Sequence, residues 1–425
     1  MRKYLPRVVD DQIAAKLRSI PVVLVEGTRG CGKTTTSQQF AASEVLFDED
    51  ETARGHAAQG TLPLLGGPHP MLLDEWPLVP GLWDRVRRAS DRLGRPGSFI
   101  LSASAQPADY ITTHSGVGRM GRVRMRPMSL WESGASNGTM SLSRLFEGEF
   151  KAVYRPRSGG DGTPEDELRE LIDWLLRGGW PLTQEMEARD AQDYARDYLD
   201  EVARVDVPKA SGARHSPLSV RRLLASLARN SASEASLTTL AADMGTDDAA
   251  SRQTVSIYLD ALTSVFLYES QPAWKGRLLS RTTLRSAPKH HLVDPSLAAA
   301  ALGAGVEGLF DDRPALGLLF ESMATRDLRV YAQANRSTVY HYRDKAGLEI
   351  DAIVERDDGR WIAVEVKLGT PQAIEAAAQS LLALSAKVDT SVTGPPAALV
   401  VVTSTGQPYL RADGVGVVPI ASLGP

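Results

Sequence analysis

The chain has a single cysteine, Cys31, in 425 residues. One thiol cannot form an internal disulfide, so a disulfide-stapled secreted scaffold is excluded and a reducing compartment is expected. No run approaches 18 consecutive apolar residues, so the sequence offers no transmembrane helix. Asp10 and Asp11 fall where a secretory signal needs its apolar core. The expectation is a cytoplasmic protein without a membrane partner. An excess of one charge is also lacking: 48 Lys and Arg stand against 52 Asp and Glu, a net charge of −4. Global charge therefore does not advertise nucleic-acid binding. Apolar content of 43% and charged content of 24% are ordinary for a soluble globular chain. The length exceeds what one core holds, so two to four domains are expected.

Three local stretches do lack acids while carrying cations. Arg119, Arg122, Arg124 and Arg126 lie between Ile111 and Trp131. Lys209, Arg214, Arg221, Arg222 and Arg229 lie between Val207 and Ser233. Lys275, Arg277, Arg281, Arg285 and Lys289 lie between Gln271 and Val293. Basic patches on an acidic chain can meet phosphate without making the whole protein adhesive. Solvated charged faces are the alternative for each patch.

Apolar runs bounded by turn residues predict strands over 21–26 (PVVLVE), 70–75 and 98–104, with helices over 34–42 and 79–93 between them. Alternation at this spacing implies a parallel sheet covered by helices on both faces. Residues 133–162 read as a long connection. Helices over 164–177 and 188–205 then suggest a helical lid after the core. Three short amphipathic helices, 219–230, 236–244 and 251–264, precede a strand at 266–268, and Gly245 separates the last two. This pattern suggests a winged helix-turn-helix. From Gly308 a helix is followed by strands over 338–343, 348–355 and 361–368, a helix over 372–386 and a strand over 397–403. The expected domains are 1–135, a core whose glycine-rich run 27–34 (GTRGCGKT) marks it as a P-loop ATPase; 136–206, lid and connection; 207–275, winged helix; 276–310, a basic linker; and 311–425, a C-terminal α/β domain.

Gly27-Thr28-Arg29-Gly30-Cys31-Gly32-Lys33-Thr34, followed by Thr35, joins the first strand to the first helix of this pattern. Its glycines let backbone N–H groups turn inward around phosphate oxygens. Lys33 would reach the β- and γ-phosphates of ATP, and the Thr34 hydroxyl would ligate Mg²⁺. Asp74 and Glu75 end the next strand, where Asp74 would hold Mg²⁺ through water and Glu75 would polarise the attacking water. The alternative for this pair is an acidic helix cap before Trp76-Pro77. Ser102 or Ser104 ends the third strand and could orient that water, or simply make a turn. Arg119, and then Arg122, are candidate arginine fingers, which a neighbouring subunit often supplies. Surface ion pairing is the competing reading for both.

Two further constellations point away from the nucleotide. Arg252, Gln253, Thr254 and Ser256 occupy the side of the third winged-helix helix opposite Val255, Leu259 and Leu262, as a recognition helix requires. Arg221, Arg222 and Arg229 on the first helix could meet a DNA backbone, although winged helices also serve as protein contacts. In the C-terminal domain, Asp351 lies on one strand, with Glu365 and Lys367 on one face of the next. Asp351 and Glu365 could share a Mg²⁺ while Lys367 stabilises charge on a scissile phosphate. Ordinary cross-strand ion pairing explains the same pattern.

The segments EGTRGCGKTTT, MLLDEWPLVPGLWDRVRRASD, HSGVGRMGRVRMRPMSLWESG and LRSAPKHHLVDPSLAAAAL together resemble a prokaryotic family of AAA+ ATPases. These carry a C-terminal domain of unknown function, number 4143, and the resemblance runs from about Pro6 to about Val402. It implies an AAA+ core, a winged-helix region, a C-terminal fold similar to PD-(D/E)xK restriction endonucleases, Mg-ATP and a hexameric ring. The sensor strand reads Ser102-Ala103-Ser104 where many relatives have Gly-Ser. Glu321, on the helix before the C-terminal strands, resembles the nuclease fold's first acid. An AAA+ core followed by a winged helix resembles Holliday-junction branch-migration motors. The leading expectation is therefore an oligomeric ATPase that remodels double-stranded or branched DNA, in a process such as DNA repair. An Mg-dependent nuclease of a defence or repair type and a nucleotide-gated protein-interaction switch are the alternatives.

Overall fold

Val22–Glu26 (β1) is the apolar run expected from PVVLVE, and all five residues are buried. It lies inside a five-stranded parallel sheet with Ser43–Leu46 (β2), Met71–Asp74 (β3), Phe99–Ala103 (β4) and Met120–Arg124 (β5), in the order β2-β3-β4-β1-β5. The structure, a computed structural model, describes residues 4–58, 65–106, 116–150, 163–212, 216–245, 251–276 and 287–425. Strand alternation sends Val22 and Leu24 into one core with Phe47, Trp76, Val86 and Phe99. Val23 and Val25 enter another with Ile13, Leu72, Ile100 and Val123. A sheet covered on both faces needs such continuous apolar strands, and each fully buried aliphatic side chain contributes roughly 1.5–3 kcal/mol. Around the sheet run Val9–Ser19 (α1), Lys33–Gln38 (α2), Glu51–Ala58 (α3) and Leu82–Leu93 (α4). The strands β1, β3 and β4 lie where the apolar runs predict. By contrast, β2 and β5 are edge strands whose partly exposed patterns carry weak apolar signals.

The chain divides into two compact units: residues 1–127 with 261–267, and 128–260 with 268–425. The second begins with Leu130–Ser133 (α5), Met140–Ser141 (β6) and Leu142–Phe146 (α6). Pro164–Arg177 (α7) and Ala188–Glu201 (α8) have the expected positions and belong to this second unit. A π-helical turn, Val202–Asp206, continues α8 into Val207–Ser211 (α9). Pro217–Arg229 (α10), Leu237–Asp243 (α11) and Arg252–Ser264 (α12) come next, then the antiparallel pair Tyr268–Gln271 (β7) and Lys289–Leu292 (β8). The helices α10, α11 and α12 and the strand β7 follow in the order read from the sequence.

The expected basic linker over 276–310 needs correction. Its Arg277, Arg281 and Arg285 lie outside the described residues. The stretch from 289 to 300 is core: β8 is buried throughout, and Pro295–Leu302 (α13), an almost wholly apolar helix, packs against α7, α8 and α10. Cations at the start of the expected linker mask the apolar run that ends it. Val306–Asp311 (α14) and the long Arg313–Ala334 (α15) lead to a mixed six-stranded sheet. Its strands are Ser337–Arg343 (β9), Glu349–Arg356 (β10), Trp361–Lys367 (β11), Ala398–Thr403 (β12), Tyr409–Leu410 (β13) and Gly416–Pro419 (β14), in the order β13-β14-β12-β11-β10-β9. The parallel step from β11 to β12 is made through Pro371–Lys387 (α16) and Thr390–Thr393 (α17). Leu423–Gly424 (β15) returns to pair with β6.

Candidate functional site

The loop after β1 leaves the sheet at Gly27, whose N–H donates to the Ala103 carbonyl at 3.3 Å. A Cβ there would lie 2.0 Å from the Met125 carbonyl oxygen, so only glycine fits. Gly30 and Gly32 have φ of +78° and +100°, values that favour glycine. Thr28 is buried, while Arg29 and Thr35 are exposed. Lys33 is buried and its Nζ donates to the Thr28 carbonyl at 3.1 Å, folding back over the loop. Cys31 turns inward instead, its Sγ 3.7 Å from the Met125 carbonyl oxygen, so the thiol belongs to the wall of the loop. Arg7 ties that wall together, donating to the Cys31 and Arg126 carbonyls at 2.7 Å each.

The acids at the end of β3 face this loop. Thr34 Oγ1 donates to the Asp74 carboxylate at 3.0 and 3.1 Å, and Ser102 donates to the same carboxylate from β4. Burial raises the Asp74 pKa, while the hydroxyls of Ser102 and Thr34 oppose the shift. Glu75 adopts φ +49°, ψ +44°, a left-handed conformation uncommon outside glycine. Its N–H donates to Ser102 Oγ at 3.2 Å, and its carboxylate accepts from the Ser104 hydroxyl and, at 3.3 Å, from the Ser104 N–H. Burial raises the Glu75 pKa too, and Lys33 is the chief opposing influence. Both serines of the sensor strand are thus engaged, Ser102 with Asp74 and Ser104 with Glu75. An acidic helix cap does not describe this pair, since neither side chain caps the short turn at Trp76–Leu78. The donor set fits a magnesium nucleotide. Thr34 and Asp74 bring oxygen ligands together, and Lys33 spends its ammonium on a loop carbonyl that a phosphate can replace.

The second candidate centre lies in the C-terminal sheet. Antiparallel register places Asp351 of β10 beside Glu365 of β11. The Asp351 carboxylate accepts from the Val366 N–H at 2.8 Å and from Lys367 Nζ at 3.0 Å, while Lys367 Nζ lies 2.6 Å from Glu365. Glu321, on α15, joins the same cluster, but its partner is a residue that sequence reasoning left in a linker. Lys289 Nζ is 2.7 Å from Glu321, 2.9 Å from Glu349 and 3.6 Å from Asp351, with 1% of its side chain exposed. Burial disfavours its charge, yet Glu321, Asp351 and Glu349 outweigh burial and raise its pKa. Burial and the neighbouring Asp351 push Glu321 up to about 7 and raise Glu365 well above the ordinary range. For Asp351 the lysines Lys289 and Lys367 overcome burial and lower the pKa. Asp351 and Glu365 lie together as predicted, with Lys289 and Lys367 among them. Among the described residues no group of three or more His, Cys, Asp or Glu could hold a metal ion.

Residues 19–133 match the family described as an AAA domain, and residues 316–423 match domain of unknown function 4143. The chain thus carries an AAA domain on its N-terminal side and a domain 4143 on its C-terminal side. Between them, residues 168–307 match domain of unknown function 8612, which spans the segments read separately as lid, winged helix and linker. The Walker-type ATPase PABY2304 of Pyrococcus abyssi shares 15% identity over 69% of this chain and 94% of its own, at a TM-score of 0.41. The replication initiator DnaA bound to AMPPCP and single-stranded DNA shares 16% identity over 60% of this chain and 86% of its own, at 0.27. A DNA replication initiation factor shares 15% over 60% and 87%, at 0.24. These low scores mark a loose likeness. No curated protein matches the chain.

Within the AAA domain, the two candidate arginine fingers are each held by an acid of their own chain. Arg119 precedes β5, and its carbonyl accepts from the Val22 N–H, at the end of β1 opposite Gly27. Its side chain pairs with Asp91 at 2.5 Å. Arg122 pairs with Glu26 across the strand edge. In the central segment Arg252 and Gln253 are exposed in the first turn of α12, as expected. Arg221 and Arg222 are half-buried, and Arg221 is engaged by Asp200 at 3.2 Å and by the Arg196 carbonyl at 3.3 Å. Arg229 is held by Asp243 at 2.9 Å.

Proposed function

We propose that the protein is an ATP-hydrolysing AAA machine that binds and remodels DNA, with branched DNA of the Holliday-junction type as the first substrate to test. The single observation behind hydrolysis is the Thr34–Asp74–Ser102 and Glu75–Ser104 network beside the phosphate loop. Mg-ATP supplies the phosphoanhydride and the cation that neutralises it. Thr34 and Asp74 would hold the metal, and the loop N–H groups and Lys33 would bind the phosphates. Glu75 accepts the proton of the attacking water once Ser104 releases its carboxylate.

DNA contact rests on α12. Val255 and Leu259 are buried on one side, and Arg252 and Gln253 are exposed at its start, where a recognition helix meets base edges and phosphates. A hexameric ring, with Arg119 acting on the nucleotide of the next copy, completes the proposal. ATP turnover measured with duplex, single-stranded and four-way DNA tests it. Stimulation that is lost in Arg252→Ala supports the reading; no binding and no change in turnover with any DNA at moderate salt rejects it. A nucleotide-gated protein switch is the second reading, favoured by the hold of Ser104 on Glu75. It requires a partner protein retained by Glu75→Gln and lost by Lys33→Ala.

A further inference from the structure

The string Pro288-Lys289-His290-His291-Leu292-Val293-Asp294 carries no role in nucleotide chemistry, yet β8 is buried from end to end. Each polar side chain in it has a fixed partner. His290 donates through Nε2 to the Ala235 carbonyl and accepts the Tyr268 hydroxyl at Nδ1, both at 2.7 Å. His291 donates through Nε2 to Gln271 Oε1 at 3.0 Å and accepts from Ser322 at 3.2 Å. Gln271 in turn donates to the Tyr340 and Asp351 carbonyls at 2.9 Å each. The strand is thereby pinned on β7, α15 and the C-terminal sheet, and its remaining polar side chain, Lys289, points into the carboxylate cluster.

We infer that Lys289 is the resident cation of this cluster and takes the place of a divalent metal, so the C-terminal domain keeps a nuclease-like set of side chains without metal-dependent cleavage. Ammonium-to-oxygen distances of 2.7 and 2.9 Å to Glu321 and Glu349 place a positive charge where those carboxylates and Asp351 converge. The other Asp351 oxygen and Glu365 are taken by Lys367. Mg²⁺ demands near-octahedral oxygen ligands at about 2.0–2.1 Å, so the ammonium and the metal exclude one another. Expelling Lys289 would leave its charge without a partner in a buried strand, which the histidine anchors on either side of the sheet resist. The cluster therefore joins β8, α15 and β10 as a structural joint. This inference is independent of the DNA reading, since it concerns only what the cluster holds.

Mn²⁺ titration of nucleotide-free protein, by calorimetry and by thermal melting, tests it in wild type, Asp351→Asn, Lys289→Met and Lys289→Arg. The expected result is that wild type, Asp351→Asn and Lys289→Arg share the same Mn²⁺ response, which reports only the phosphate-loop region. Lys289→Met should gain a Mn²⁺-dependent rise in melting temperature that Asp351→Asn removes from the double variant. Mn²⁺ binding by wild type that is lost in Asp351→Asn overturns the inference. So does a folded Lys289→Met that gains nothing. If Lys289→Met does not fold, the comparison of wild type with Asp351→Asn decides alone. Mn²⁺-dependent cleavage of DNA by wild type that disappears in Asp351→Asn also overturns it.

Discussion

The phosphate loop and the C-terminal carboxylate cluster use the same residue types and reach opposite states. In the loop, Asp74 and Glu75 are met by hydroxyls, and Lys33 by a backbone carbonyl. In the cluster, Asp351, Glu365, Glu321 and Glu349 are met by Lys289 and Lys367. Hydroxyls and carbonyls are neutral partners that leave the charge for an incoming cation and anion to complete. Ammonium groups complete it in advance. A receptive site and a closed joint therefore differ in which partner the tertiary fold delivers, rather than in the number of acids.

Removing the base at the receptive site should have the largest effect on function. Glu75→Gln is expected to lower the rate of ATP turnover about 10²–10⁴-fold while a fluorescent ATP analogue still binds; unchanged turnover would dissolve the contrast. The same carboxylate sets a pH limb. Its pKa is raised by burial, and the base works only when deprotonated, so turnover should fall on acidification before pH reaches the ordinary glutamate value of 4.5. Persistence of full turnover down to that value would argue against Glu75 as the base.

At the closed end, damage should appear as lost stability. Asp294 is fully buried, and its carboxylate accepts from Arg326 at 2.9 Å and the Gly179 N–H at 3.0 Å while capping α13. Asp294→Ala leaves Arg326 with Asp327 alone and is expected to cost about 3–5 kcal/mol, read by denaturant melting of the second unit, with nucleotide binding retained. A shift within about 0.5 kcal/mol would show that the buried charges are not coupled. Arg252→Ala should do less. It is expected to reduce the salt slope of DNA binding by about one without altering melting, and an unchanged slope would remove α12 from the DNA surface. Alkylation of Cys31 should do least. The thiol is buried in the loop wall, so maleimide applied to native protein is expected to leave turnover unchanged; rapid inactivation would mean that the wall opens.

The central strands β1, β3 and β4 were legible because a strand buried on both faces must be apolar throughout. The positions of α7, α10, α12, β9, β10, β11 and α16 were legible, to within a residue or two, from their hydrophobic period. Edge strands β2 and β5 were not, since an edge tolerates the alternation that made Arg119 and Arg122 look like a basic patch. Lys289 was missed for a similar reason. Among Lys275, Arg277, Arg281 and Arg285 it reads as one more surface cation, and the signal that could have singled it out was the apolar run beginning at Leu292.

By itself the sequence determined the phosphate loop, because backbone geometry at Gly27, Gly30 and Gly32 is a local property that contiguous residues encode. It also determined which acids lie at strand ends, since strand period is local. Only the tertiary structure decided what those acids meet. Glu321, Asp351 and Lys289 are separated by tens of residues, and electrostatic partnership depends on distance in space and on burial. The same fold that leaves Asp74 waiting beside Thr34 brings Lys289 to Asp351 and closes the second site.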